Sequence, residues 1–338
     1  EIRTFLFPSV SIYLFFKFLR HMEQVSAAAN YTLRFINQTN KSIFLTGKAG
    51  TGKTTLLKEI IATTHKNTVV VAPTGIAALN ANGVTIHSMF QLPFAAFIPD
   101  NKQLPHFSDT VKFENRDSFG RHFKMNNVKR SVIRNMELLV IDEVSMLRAD
   151  VLDAMDFMMR KVRRNERPFG GAQVLFIGDL LQLPPVVKNE EWEMLKNYYR
   201  GMFFFHSHVI QQFPPLYIEL DKIFRQTDAE FIDVLNNLRH NKITPEDVQL
   251  LNQFVQPDFD LKKNKGFIIL TTHNSKADTI NAQSLKDLEG KQFTYLPEIT
   301  DDFPEKIYPL EEKLQLKIGA QVMFIKNDLN FEKQFYNG

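Results

Sequence analysis

No cysteine occurs in the 338 residues, which excludes disulfides, thiolate-bound zinc and thiol nucleophiles, and fits a reducing compartment. Strong net charge is missing too. Forty-one lysines and arginines stand against 38 aspartates and glutamates, a formal +3, so attraction to nucleic acid has to come from local clusters. Two clusters exist: seven basic residues from Lys112 to Arg134 against Glu114 and Asp117, and five from Arg160 to Arg167 against Glu166. An apolar run long enough for a membrane is also lacking. The early stretch TFLFPSVSIYLFF is interrupted by Pro8 and closed by Lys17 and Arg20, short of the roughly 20 residues a span needs. Its charge follows the run, where a secretory leader would place it first. Residues 1–21 therefore read as an extension or fragment edge ahead of Met22. The nine histidines show no metal-ligand spacing, and His206 and His208 read as structural.

What is present is an ordinary globular composition, 44% hydrophobic, in a chain long enough for two domains. Five short β-rich apolar runs stand out: SIFLT, TVVVA, LLVID, VLFIG and LYIEL. Runs apolar throughout suit strands buried on both faces, and the helical stretches between most of them imply a parallel sheet wound right-handedly, an α/β fold. Ligands of such sheets sit at the carboxyl ends of the strands. The segments just after each run are therefore the informative ones.

After the first run comes GKAGTGKT, residues 47–54. Gly47, Gly50 and Gly52 allow positive φ and let backbone N–H groups reach phosphate oxygens, with Lys48, Ala49, Thr51 and Thr55 completing the loop. Lys53 offers a mobile charge to the β- and γ-phosphates, and Thr54 a hydroxyl to Mg²⁺ at a helix start whose dipole favours anions. ATP and Mg²⁺ are the cofactors this spacing implies. The third run delivers Asp142 and Glu143 to the sheet edge, where adjacent carboxylates can divide the holding of Mg²⁺ and the orienting of an attacking water. GDLLQLPPV, 178–186, follows the fourth run, and its Gln182 is a neutral group able to donate and accept.

APTGIAAL (72–79), GVTIHSMF (83–90), LLVIDEVSML (138–147), PFGGAQVLFIGDLLQLPPV (168–186) and IELDKIFRQ (218–226), together with the glycine loop, stand in the order seen in superfamily-one DNA helicases. Within that superfamily, Leu147 to Gly171 resembles the signature segment of the petite-integration-frequency, or PIF-type, helicases. The resemblance implies a RecA-like P-loop NTPase that moves on single-stranded DNA, five-prime to three-prime, and opens duplex junctions in repair, recombination, replication or telomere maintenance. It implies that Gln182 senses the γ-phosphate and that Arg225 is the arginine finger, a group worth roughly 10³ or more in rate. It places Pro73, Thr74, Gly75, His87, Thr272 and Asn274 on the DNA strand, with Phe90 and Asn281 as further candidates. The same resemblance divides the chain into a first RecA-like domain, 22–220, and a partial second one, 221–338. A wedge-like insertion falls at about 91–135. The adenine-recognising glutamine of the family has no clear counterpart, Asn30 and Gln24 lying nearest. The family's later motifs do not follow FYNG, so weak hydrolysis without full unwinding is expected of these residues. A monomer off the membrane is expected, cytoplasmic and nucleoid-associated in a bacterium, nuclear or mitochondrial in a eukaryote. A RecD-like motor and a nucleotide-gated DNA-binding module are the competing readings.

The signature segment also reads physically. Val151, Leu152, Met155, Met158, Met159 and Val162 form an apolar stripe at helical spacing, with Asp150 as cap and Pro168 beyond the end. Downstream, FIILT and AQVMFI read as strands of a second sheet.

Overall fold

The computed structural model describes residues 26–48, 50–101, 112–122, 125–222, 229–259, 267–298 and 311–324. They fall into two compact units, one running through Arg239 and the other from His240. The first continues past the expected boundary at Leu220 and takes in the helix Ala229–Arg239.

The five apolar runs all form strands: β1 Ile43–Gly47, β2 Thr68–Ala72, then, after the short β3 Val84–Thr85 and the pair β4 Ala96–Ile98 and β5 Phe113–Asn115, β6 Leu138–Ile141, β7 Gln173–Ile177 and β8 Leu216–Leu220. β3 was not among the expected strands. Six of the eight make one parallel sheet in the order β3-β2-β6-β7-β1-β8. The reason these runs lack polar alternation is visible in their two faces. Phe44, Leu139, Ile141, Val174 and Phe176 enter one core with Met155, Met158 and Met159 of the helix Ala149–Arg163. Their neighbours Ile43, Leu45, Leu138, Val140, Leu175 and Ile177 enter the other, with Leu56, Leu57 and Ile60 of the helix Lys53–Thr63. Side chains of a strand alternate between faces, so a sheet covered on both sides needs apolar residues at every position.

In the insertion, β4 and β5 pair in parallel. Among its described phenylalanines, Phe97 and Phe119 are core: both are buried and meet Phe157 of the long helix at 6.0 and 6.1 Å between ring centroids.

The methionine stripe is core as expected, but the polar side of the same helix holds a surprise. Asp150 does not cap it, since the N-cap is Arg148. Instead Asp150 accepts from the Phe97 N–H (3.0 Å), Asp153 from the His208 and Val209 N–H groups (2.9 and 3.0 Å), and Asp156 from the Phe169 N–H (2.7 Å). Spaced three apart, these buried carboxylates lie along one side of the helix and fasten three separate segments to it. Of the basic residues beside them, Arg160 pairs with Asp156, and Arg163 donates to the carbonyls of Ile133, Met136 and Gly170.

The second unit is built otherwise. Its helices Pro245–Asn252 and Asn274–Asp287 accompany a two-stranded antiparallel ribbon, β9 Gln292–Tyr295 and β10 Leu314–Lys317. The expected strands do not form: residues 267–271 and the described part of AQVMFI, 320–324, are irregular and mostly exposed. No facing layer covers them within the described residues of this unit, so their apolar character alone does not make a strand.

Candidate active site

β7 lies between β6 and β1 in the sheet. The loops leaving the carboxyl ends of these three neighbours therefore meet at one edge, and they carry the glycine loop, the acidic pair and the glutamine.

The glycine loop turns directly into the helix Lys53–Thr63, with Gly52 as N-cap in the left-handed region (φ 84°) and no side chain closing the helix end. That geometry aims the first N–H groups outward as anion donors. A Cβ at Gly47 would stand 2.6 Å from Thr51 Oγ1 and 2.8 Å from the Leu220 carbonyl oxygen, so the loop closes only around glycine. Thr51 is buried and donates to the Lys48 carbonyl (2.9 Å). Lys53 Nζ folds onto the carbonyls of Gly47 (2.6 Å) and Lys48 (3.0 Å). Burial pushes its ammonium below the ordinary value, while Asp179 and Glu143 pull it back up. Thr54 and Thr55 are exposed on the helix's first turn. Ala49 lies outside the described residues.

Directly after β6, burial pushes the Asp142 carboxyl up to about 6, against the opposing hydrogen bond from the Glu143 N–H (2.9 Å) and the charge of Lys53. Glu143 occupies the left-handed region (φ 50°), a conformation that costs a non-glycine residue about 1 kcal/mol or more and persists where surroundings enforce it. It turns the chain off the strand path directly after Asp142, and the two carboxylates still feel each other, the charge of Glu143 adding to the rise at Asp142. An uncapped helix end, a hydroxyl, two carboxylates of unlike environment and one lysine suit a nucleotide phosphate with a divalent cation: donors for the anion, hard oxygens for the metal.

Gln182 is exposed, and its amide donates to Asp179 Oδ2 (3.2 Å). Asp179 itself was not anticipated. It is 2% exposed and accepts both oxygens' worth of bonds from Arg239 Nη1, at 2.8 and 2.7 Å. From the same helix Asn236 accepts from Lys48 Nζ at 2.6 Å. Asp179 lies in GDLLQLPPV, three residues before Gln182, but Arg239 belongs to no quoted motif, and the two stand 60 residues apart.

Of the expected strand-contacting residues, Pro73, Thr74 and Gly75 follow β2, and Thr74 caps the helix Gly75–Asn80 by accepting from the Ala77 N–H (3.3 Å). His87 stacks on Phe94 at 4.8 Å and 10°, and Phe94 is 83% exposed. Burial, with the charge of Arg148, pushes His87 below its ordinary value, favouring the neutral, stackable ring. Phe90 is buried in the core. Thr272, Asn274 and Asn281 belong to the second unit, all exposed. Arg225 lies outside the described residues.

A parallel sheet with a glycine loop on one strand and an acidic pair two strands away defines a P-loop NTPase of RecA-like architecture. A family model described as PIF1-like helicase matches residues 21–249, and the chain belongs to that family. The ATP-dependent DNA helicase PIF1 of Homo sapiens is 34% identical over 308 residues, covering 88% of this chain and 43% of the relative. The chain thus spans less than half of that relative's length. Among solved structures, the Pif1 helicase from Bacteroides in complex with ADP-AlF3 and ssDNA is 39% identical with a TM-score of 0.78, covering 93% of this chain and 68% of that one. A structure of two coordinating Pif1 helicases at forked dsDNA has the same identity and score, covering 93% and 70%. Among the described residues no helix is long and apolar enough to cross a membrane, and no His, Cys, Asp and Glu cluster is set for a metal by itself.

Proposed function

We propose that this chain carries the ATP-driven motor site of a DNA helicase, coupling hydrolysis to five-prime to three-prime movement along single-stranded DNA and to the opening of duplex junctions. The observation supporting this most strongly is the meeting of the three loops on β1, β6 and β7, with Lys53 in the field of Asp179, Glu143 and Asp142. Lys53 and the N–H groups of residues 50–54 hold the β- and γ-phosphates. Thr54 and Asp142 hold magnesium, which when bound offsets the charge of the phosphate oxygens. Glu143 orients water and takes its proton. Gln182 senses the γ-phosphate and Arg225 acts as the finger, both by family resemblance.

The face bearing Thr74, Gly75, His87 and Phe94 supplies phosphate donors and a stacking surface, which is sequence-tolerant recognition of a single strand. Thr272 and Asn274, in the second unit, are proposed strand contacts by family resemblance alone. ATP turnover with and without single-stranded DNA tests the reading. Turnover stimulated by DNA, with DNA affinity falling as salt rises, is the expected result. Salt-dependent DNA affinity that changes with nucleotide while turnover stays at its basal level would make the protein a nucleotide-gated binding module instead.

A further inference from the structure

The helix Ala229–Arg239 takes part in the site through one face. Asn236 and Arg239, three residues apart, point the same way. Asn236 takes the Lys48 ammonium of the phosphate loop at 2.6 Å, and Arg239 takes Asp179 at 2.8 and 2.7 Å. Val234, 1% exposed, anchors the helix.

Asp179 in turn fixes Gln182 twice: its carbonyl accepts from the Gln182 N–H at 2.9 Å, and Oδ2 accepts from the Gln182 amide at 3.2 Å. Its Oδ1 also accepts from the Leu181 N–H (3.2 Å). We infer that Arg239 is a positioning residue for hydrolysis: by fixing the Asp179 carboxylate it fixes the Gln182 amide at the γ-phosphate side of the site, and with Asn236 it ties that loop to the phosphate loop. This rests on the ATPase reading above.

The physical case is one of satisfaction and rigidity. A buried carboxylate without a cation takes up a proton or turns toward water, and either frees the amide it holds. Burial alone would push the Asp179 carboxyl up, yet the hydrogen bonds from Arg239, Leu181 and Gln182 outweigh it and hold the group below the usual carboxylate range. A charge-assisted contact of this kind is stronger than a neutral one and holds both carboxylate oxygens against the one nitrogen, Arg239 Nη1. Arg239 therefore acts through Gln182.

A double-mutant cycle on the whole 338-residue chain tests this, with Arg239→Ala, Gln182→Ala and both together. Two readouts are taken: kcat and KM for ATP with saturating single-stranded DNA, and the affinity ratio of ATPγS to ADP. Arg239→Ala should lower kcat by about tenfold with KM changed by less than about threefold, and the double variant should be no worse than Gln182→Ala alone. The preference for ATPγS over ADP should fall to the same level in all three. Effects that multiply in the double variant, or a raised KM with kcat intact, would overturn the inference while leaving the ATPase reading standing. A wild-type chain without nucleotide affinity would overturn both. Should Arg239→Ala not fold, as judged by its melting curve, Asp179→Asn in the same cycle reads the same link from its other end.

Discussion

The two units of this chain use similar apolar runs to opposite effect. In the first, IFL of β1 lies between two cores and Leu45 is fully buried; in the second, FIIL at 267–270 is irregular and Leu270 is 88% exposed. Among the described residues of the second unit, Asp247 is the one that is buried, and it closes a capping box with Thr244 at the start of a helix. Apolar, β-branched composition is thus permissive, and cover on both faces is what converts it into strand. The comparison also locates the chemistry. Precise placement of Lys53, Asp142, Glu143 and Gln182 needs neighbours that cannot move, and only the doubly covered sheet supplies them.

The largest expected effect lies in the rigid unit. Glu143→Gln should retain nucleotide affinity and lose ATP turnover by at least about 10²-fold, since an amide cannot take the proton of the attacking water. Asp142→Asn should instead raise the magnesium concentration needed for half-maximal turnover. Matching magnesium titrations for the two variants would show that the carboxylates are not divided in role.

Next comes the packing contrast itself. Leu45→Ala should cost about 2–5 kcal/mol in denaturant unfolding, because the hole it leaves lies inside two-sided packing. Leu270→Ala should stay within about 0.5 kcal/mol, as a solvated side chain has no cavity to leave. Equal losses would mean that the second unit is packed as tightly as the first.

The strands and the phosphate loop were legible because each is a local pattern: five short, mostly apolar, β-rich runs, three glycines within six residues, a lysine and a threonine at fixed spacing. The acidic pair was legible from its place at the end of such a run. The Asp179–Arg239 link was not, because it joins residues 60 apart, one inside the GDLLQLPPV segment and the other outside every quoted motif. Asp150 was read as the cap of its helix, and Asp153 and Asp156 were not singled out. Their three-residue spacing puts them along one side of the helix, but the three segments they fasten are distant in sequence and were not legible from it. FIILT was misread because composition was taken for cover.

A smaller effect sharpens the picture at the edge of the site. Asp179→Asn should lower stability near pH 7 by about 1.5–3 kcal/mol, the range for a hydrogen bond to a charged group. The sign follows from a folded carboxyl held below its ordinary value: its contribution is present above the unfolded value and lost as pH falls through the folded one. Melting curves of wild type and variant should therefore converge toward acid, and a gap that widens there would reverse the assigned direction.

The most direct measurement is ATP turnover and nucleotide affinity of Lys53→Ala beside wild type, both with single-stranded DNA present. Lys53 is the one lysine whose ammonium rests on the Gly47 and Lys48 carbonyls of the glycine loop, with Asp179, Glu143 and Asp142 around it. Removing it should abolish hydrolysis and weaken nucleotide binding sharply, by about 10²-fold or more, as loss of a preorganised cation at a phosphate does. Unchanged turnover in a folded Lys53→Ala protein would contradict the assignment of the β1, β6 and β7 loops as the motor's nucleotide site.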